Sequence, residues 1–349
     1  MIETTRTIPR LISTLIAALC FASCFSSCGG IQNSINPAGP NAENISRLWW
    51  LMFIVCSIVF VFVMIALLLA LRKRTTEAAD RVPMLEPSEE SERRRRNVVI
   101  SFTTITVIVL FVFLIASYSS GRSLRLNDPT KNGLSIELTG HQWWWEVRYQ
   151  DVDASNIFTT ANEIHIPVGV PVMFSLRGAD VIHSFWVPNL AGKKDLIPGK
   201  ISTIWLQADK PGVYRGQCAE YCGLQHAKMA LWVVAEPQEQ FNAWRQNQTQ
   251  QAMAAASDTQ KRGQQIFFST TCVMCHAING TPAGSNIGPN LTHVGSRQMI
   301  GAATLVNTRD HLAQWIRDSQ TFKPGNRMPQ NNLSDADLQA LVEYLQSLK

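Results

Sequence analysis

Two stretches of the chain hold residue types able to do metal chemistry. The first, Cys218-Ala219-Glu220-Tyr221-Cys222-Gly223-Leu224-Gln225-His226-Ala227-Lys228-Met229, gathers two thiols, an imidazole, a carboxylate and a thioether in one turn-like segment. Such soft ligands select copper over magnesium or calcium. Cysteines four positions apart can present both sulfurs to one centre from a compact loop, and His183 upstream offers a second imidazole. A blue-type copper uses two His, one Cys and a distant Met. The additional thiol points to two coppers sharing bridging sulfurs. The competing uses are a structural zinc site, which ordinarily has C-x2-C spacing and no Met, and a disulfide between Cys218 and Cys222.

The second stretch is Cys272-Val273-Met274-Cys275-His276, a C-x-x-C-H haem-attachment signal. Its thiols can form thioethers to the haem vinyl groups, and His276 follows in position to ligate iron. A redox C-x-x-C or half of a zinc site would use the same residues, but no second C-x-x-C or H-x3-H lies nearby.

Elements to position these groups are legible around them. The chain has 349 residues and a net charge of +5, enough for two soluble domains plus extra segments. Residues 1–27 read as a signal peptide of the lipoprotein type: Arg6 and Arg10, an apolar core, then Cys28 as the residue to be lipidated, with Cys24 as competitor. Residues 28–122 form a transmembrane helical hairpin. Its apolar runs, about 48–71 and 98–118, each suffice to cross a hydrocarbon core of roughly 30 Å. Trp49, Trp50 and Tyr118 sit at the run ends as interfacial anchors. Arg72-Lys73-Arg74 and Arg93 to Arg96 lie between the runs, which assigns the connecting loop to the cytoplasm and argues against nucleic acid as a partner. Everything after Gly121 is then outside.

From 123 to 236 the pattern changes to short alternating apolar runs punctuated by Gly and Pro, such as Val172 to Leu176 and Ile201 to Leu206, the signature of a β-sandwich. Residues 237–258, rich in Gln, Ala and Asn, read as a linker, partly helical. Residues 259–349 carry the haem motif and end in a helix from Asp335, capped by Ser334, with Leu338, Leu341, Val342 and Leu345 on one face.

Together these motifs resemble subunit II of haem-copper cytochrome c oxidases, fused to a class I cytochrome c domain. The loop follows that family's C-x-E-x-C-x3-H-x2-M, and Asp180 to Phe185 follows its D-V-x-H-S-F/W. Lys194 to Gly199 and Tyr214 to Gln217 extend the likeness across the domain. The resemblance implies a cupredoxin-like antiparallel β-sandwich holding a binuclear CuA centre. Its ligands would be His183, Cys218, Glu220 through the backbone carbonyl, Cys222, His226 and Met229. The Glu220 carboxylate would also help to hold magnesium at the subunit boundary. Gly140-His141-Gln142-Trp143-Trp144-Trp145 matches the family's G-H-Q-W-x-W, which assigns electron entry to Trp143; Trp144 stands where the family usually has Tyr. In the all-α cytochrome c domain, Gly288-Pro289-Asn290-Leu291 matches G-P-x-L. Arg327-Met328-Pro329 resembles the segment of the second axial ligand, so haem c would use Cys272, Cys275, His276 and Met328.

The function implied is an electron-entry subunit of a terminal oxidase. It would pass electrons from haem c to CuA and on to the catalytic subunit for reduction of oxygen to water with proton translocation. Subunits I and III would be its partners, and an upstream cytochrome c or quinol-oxidising complex its donor. The setting would be a bacterial inner membrane, with both soluble domains on the periplasmic or extracellular side. A nitric-oxide reductase-type complex is the alternative partner. The acid-Trp pair that opens the second span in many relatives has no counterpart here.

Overall fold

The computed structural model describes residues 30–77, 88–126 and 133–349. The expected signal peptide and the candidate lipidation site Cys28 lie outside the described residues. The described residues divide into two units, one within 43–126 and the other of 30–42 with 133–349.

The first unit is a helical hairpin. Helices α1 (Pro40–Glu77) and α2 (Glu89–Leu126) contain spans of Pro40–Leu71 and Glu89–Arg122, longer than the apolar runs alone because polar flanks continue the helical turns. Side chains such as Phe60, Phe62, Phe111 and Leu114 remain exposed, an outer surface that suits lipid. Thr104 and Thr106 donate to the carbonyls of Ile100 and Phe102 at 2.8 and 2.9 Å, so their hydroxyls are satisfied inside the helix.

The second unit begins with residues 30–42, fastened to a sandwich of two five-stranded sheets. Ala38 N–H donates to the Asn189 carbonyl at 2.7 Å, and the Asn41 amide to the Trp205 carbonyl at 2.7 Å. One sheet has the order β3 (Phe158–Ala161), β2 (Trp144–Gln150), β1 (Leu134–His141), β5 (Val172–Gly178), β8 (Ser202–Leu206). The other runs β4 (Glu163–Pro167), β10 (Ala230–Glu236), β9 (Gly212–Cys218), β6 (His183–Trp186), β7 (Lys194–Leu196). Buried and half-buried residues alternate along β1 and β9, as a strand with one face on a core requires. Ile136, Leu138, Val147, Phe174, Phe185 and Leu231 fill the space between the sheets. Most pairings are antiparallel, but each sheet also contains one parallel pair, β1 with β5 and β4 with β10. These strands are far apart in sequence, and long connections permit parallel pairing.

The first half of the expected linker belongs to the sandwich. Helix α3 (Gln238–Gln248) buries Phe241 and lays Trp244 against Tyr149, Phe158 and His165. Residues 249–256 then lead to a helical domain. A capping box, Ser257 with Gln260, starts α4 (Asp258–Ser269), followed by α5 (Arg309–Arg317) and α6 (Asp335–Ser347), which Ser334 caps. Helices α4 and α6 pack closely at Gly263, and Phe267, Leu341 and Leu345 from these helices enter the core.

Candidate metal centres

The hairpin β1–β2 and the loop after β9 build the first centre. Cys218 ends β9, His183 starts β6, and a 3-10 turn over His226–Lys228 returns the loop to β10. The two thiol sulfurs lie 3.8 Å apart. Cys218 Sγ is 3.9 Å from His183 Nδ1, and Cys222 Sγ is 3.6 Å from His226 Nδ1 and 3.7 Å from Met229 Sδ. The Glu220 carbonyl is 3.2 Å from Cys218 Sγ. His183, Cys218, Cys222 and Met229 are buried, so these donors sit in a dry pocket. All six predicted ligands therefore converge. The sulfur separation is far from the roughly 2.05 Å of a disulfide, and both cysteines are free. Two sulfurs side by side, each with its own imidazole, fit two soft metal ions better than one.

Carboxylate support lies behind the imidazole. Asp180 Oδ1 is 2.8 Å from His183 Nε2, while Oδ2 accepts from the Gln142 N–H at 2.8 Å and Oδ1 from the Val181 N–H at 2.8 Å. Burial opposes ionisation of Asp180, but the bonds from His183, Gln142 and Val181 prevail and hold its carboxyl below the usual range. With Nε2 engaged by Asp180, Nδ1 is the nitrogen directed at the sulfurs. Gly140 makes room for the ring: a Cβ there would lie 2.8 Å from His183 Cδ2.

Gln142 and Trp143 form the tip between β1 and β2, directly over this loop. The Trp143 indole N–H donates to the Cys222 carbonyl at 2.9 Å, and the Gln142 amide donates to the same carbonyl at 2.8 Å. Trp144 stacks on His141, and Trp145 is wholly buried in the core beside His183 and Phe185.

A cavity of about 320 Å³ forms the second centre. Cys272, Cys275, His276 and Met328 all line it, with Phe267, Leu291, Trp315, Leu341 and Leu345 as apolar walls. His276 Nδ1 is 2.7 Å from the Pro289 carbonyl; donating there leaves Nε2 as the free nitrogen. Gly288 lets the ring sit close, since a Cβ would lie 2.8 Å from His276 Cε1. Asn326 Oδ1 accepts from the Met328 N–H at 2.8 Å, and Gln320 holds the Met328 carbonyl at 2.9 Å. Among competing ligands, His293 and His311 lie outside the cavity lining, whereas Met299 is part of it. A flat apolar group with two thioether links and a nitrogen–sulfur axial pair suits this lining.

Trp143 and Trp144 line this cavity too, so the helical domain and the copper loop share the hairpin tip as a common wall. Residues that the motifs did not single out hold this seam. Gln225 donates to the Pro324 carbonyl at 2.6 Å, Lys228 to the Phe322 carbonyl, and the Gln298 N–H to Glu163 Oε2 at 2.9 Å. Behind that last bond, buried His165 bridges two acids, with Nε2 3.2 Å from Glu163 and Nδ1 3.0 Å from Glu236. Trp244 stacks on the His165 ring at 4.1 Å. The only sequence signal was a Glu and a His spaced by two on one strand.

Burial of His165 disfavours its charge, but the bonds to Glu163 and Glu236 prevail and raise its pKa above 6.5. A raised folded-state pKa stabilises fully below the unfolded value, and the contribution is lost as pH climbs through the folded value. His165→Gln should therefore cost about 3 kcal/mol in acid. The difference in melting temperature from the parent should shrink as pH rises above 6.5. Parallel melting curves across that range would count against the bridge.

Comparisons with known proteins match this layout. Residues 153–236 match the family described as cytochrome C oxidase subunit II, periplasmic domain, and residues 260–349 match cytochrome c. Cytochrome c oxidase subunit 2 of Alkalihalophilus pseudofirmus is 35% identical over 322 residues, covering 90% of each chain. The Bacillus sp. PS3 protein of the same name is 32% identical over 72% of this chain and 74% of its own. Among solved structures, the periplasmic domain of subunit II of cytochrome oxidase from Bradyrhizobium japonicum is 32% identical, with TM-score 0.31. That match covers 33% of this chain and 92% of the other.

Proposed function

We propose, for a chain that belongs to the cytochrome c oxidase subunit 2 family, that its own helical domain delivers electrons to its own copper loop through the hairpin tip. As a member of that family it is a subunit of a haem-copper oxidase complex with an electron-entry role. When bound, haem c and a binuclear copper centre supply one-electron carriers in series, ahead of the catalytic subunit that reduces oxygen to water with proton translocation.

The chain's residues do the positioning. Cys272 and Cys275 would tether the haem, and His276 and Met328 would offer the axial pair. His183, Cys218, Glu220 carbonyl, Cys222, His226 and Met229 would hold the two coppers, with Asp180 orienting His183. Burial of His183, Cys218, Cys222 and Met229 would limit the access of water to the coppers, and with it the reorganisation during transfer. The Glu220 carboxylate, only half-buried, would reach magnesium at the boundary with the catalytic subunit. The hairpin of α1 and α2 would anchor the chain in the cell membrane beside subunits I and III, with both centres on the outer side. An upstream cytochrome c or a quinol-oxidising complex would be the donor, and Cys28 would add a lipid anchor.

The observation that carries this reading is the shared wall. Trp143 borders the cavity lined by His276 and Met328 while its indole bonds to the Cys222 carbonyl. In the resembled family this tryptophan faces a separate donor; here the covalently attached domain occupies that side. Trp143→Gln in the purified complex should slow electron arrival at copper by about tenfold or more, roughly 1.4 kcal/mol of barrier. The copper and haem spectra should not change. An unaltered rate with both spectra intact would refute the role.

A further inference from the structure

The segment Phe322–Gly325 precedes Met328 and lies against the copper loop. The Phe322 and Pro324 carbonyls accept from Lys228 and Gln225. Between them, the Lys323 side chain turns inward and is only 3% exposed. Its Nζ donates to the Trp143 carbonyl at 2.7 Å and to the Gly301 carbonyl at 3.2 Å.

A buried lysine is costly and is ordinarily matched by an acid. Among the described residues no carboxylate forms an ion pair with Lys323; it is spent on two neutral carbonyls, and both belong to residues lining the haem cavity. Trp143 is consequently gripped at both ends, its carbonyl by Lys323 from the helical domain and its indole N–H by the Cys222 carbonyl of the copper loop. Without Lys323 the tip would retain the indole bond but lose the contact that fixes it against the helical domain.

We propose that Lys323 is a positioning residue for electron transfer, holding Trp143 at the distance and orientation that couple the haem cavity to the copper loop. The inference rests on the relay described above. The step it serves moves one electron, oxidising the haem and reducing the copper centre, with no bond made or broken and no proton transferred. Electronic coupling depends steeply on contact across a gap, so a bridge that prevents the tip from lifting acts on this step. It does not act on reduction of the haem by the external donor.

The test uses the full oxidase complex carrying Lys323→Met, which keeps an unbranched apolar stem one atom shorter and removes its N–H donors. After flash reduction of the haem by a photoactivated one-electron donor, transfer to copper should slow by about tenfold. The steady-state KM for the native donor and the visible bands of both centres should be unchanged. Hydrogen–deuterium exchange of peptides spanning residues 140–146 should increase. If the methionine variant loses either band, Lys323→Leu, which is shorter still and also has no N–H donor on its side chain, is read in the same way. An unchanged transfer rate with both bands intact, or a rate loss matched by an equal loss of donor affinity, overturns the role of Lys323. The relay itself stands or falls separately on Trp143→Gln.

Discussion

Cys222→Ser should empty the copper centre while leaving the sandwich folded. Cys222 Sγ lies within 3.8 Å of Cys218 Sγ, His226 Nδ1 and Met229 Sδ, so it touches three of the other donors. A serine oxygen is harder, shorter-reaching and still protonated at neutral pH, whereas soft metal ions favour thiolate. Loss of a supporting group alone lowers metal affinity by about 10–100-fold, and loss of a shared ligand should exceed that. Metal analysis should find copper bound to this loop depleted, with oxidation of the donor reduced by more than about 100-fold. The C-x-x-C-H haem, more than forty residues downstream, should still be attached and reducible. Full copper content in the variant would show that Cys222 is not a ligand. The bond between the two thiols lowers the pKa of Cys218 and raises that of Cys222. Metal binding must displace the protons of both thiols, so copper uptake should weaken as pH falls.

Gly263→Val should have the largest effect on the haem domain. A Cβ at this position would lie 2.0 Å from the Ala340 carbonyl oxygen and 2.8 Å from Tyr344 Cβ, so α4 and α6 would have to separate. Neither obstruction is a flexible side-chain end; the first is backbone. Overpacking of this kind costs about 3 kcal/mol or more, against a stability of roughly 5–15 kcal/mol for a domain. Phe267 on α4 and Leu341 and Leu345 on α6 line the cavity, so separating the helices also deforms its wall. The haem content per copper should fall and the melting transition of the helical domain should drop by several degrees, with the copper spectrum retained. Unchanged melting would mean that the two helices can separate at little cost. The signals from the two centres should thus be lost independently, copper in Cys222→Ser and haem in Gly263→Val.

Part of the candidate site is legible in the sequence. Cys218, Cys222, His226 and Met229 lie within twelve residues, and Cys272, Cys275 and His276 within five, so short loops bring their atoms together. The strand pattern was equally plain in β1, where alternating burial follows from one face on a core. The parallel pairs were not, because register between strands separated by long connections leaves no local trace. Residues 237–258, linker-like in composition, show a similar limit. Their low apolar content is real, but Phe241 and Trp244 alone suffice to dock α3 on the sandwich.

The seam between the two centres was the least visible part. Lys323 sits in Thr-Phe-Lys-Pro-Gly, which reads as a solvated loop, and its acceptor Trp143 is 180 positions away. Glu163 and His165 resemble outward-facing strand residues until α3 and the helical domain cover that side; every residue of β4 is buried. Residue type and local spacing are thus enough to nominate the atoms that would bind metal and haem, and the segments apolar enough to enter a membrane. Those properties depend on side-chain chemistry and on spacing within a few turns. Sharing of Trp143 between the two sites, and the bonds of Lys323 and Glu163 across the seam, emerge from the folded chain alone. Those contacts depend on how two separately patterned domains dock, and the hydrogen-bond partner of a buried charge is set by whatever backbone the docking brings within 3 Å or so.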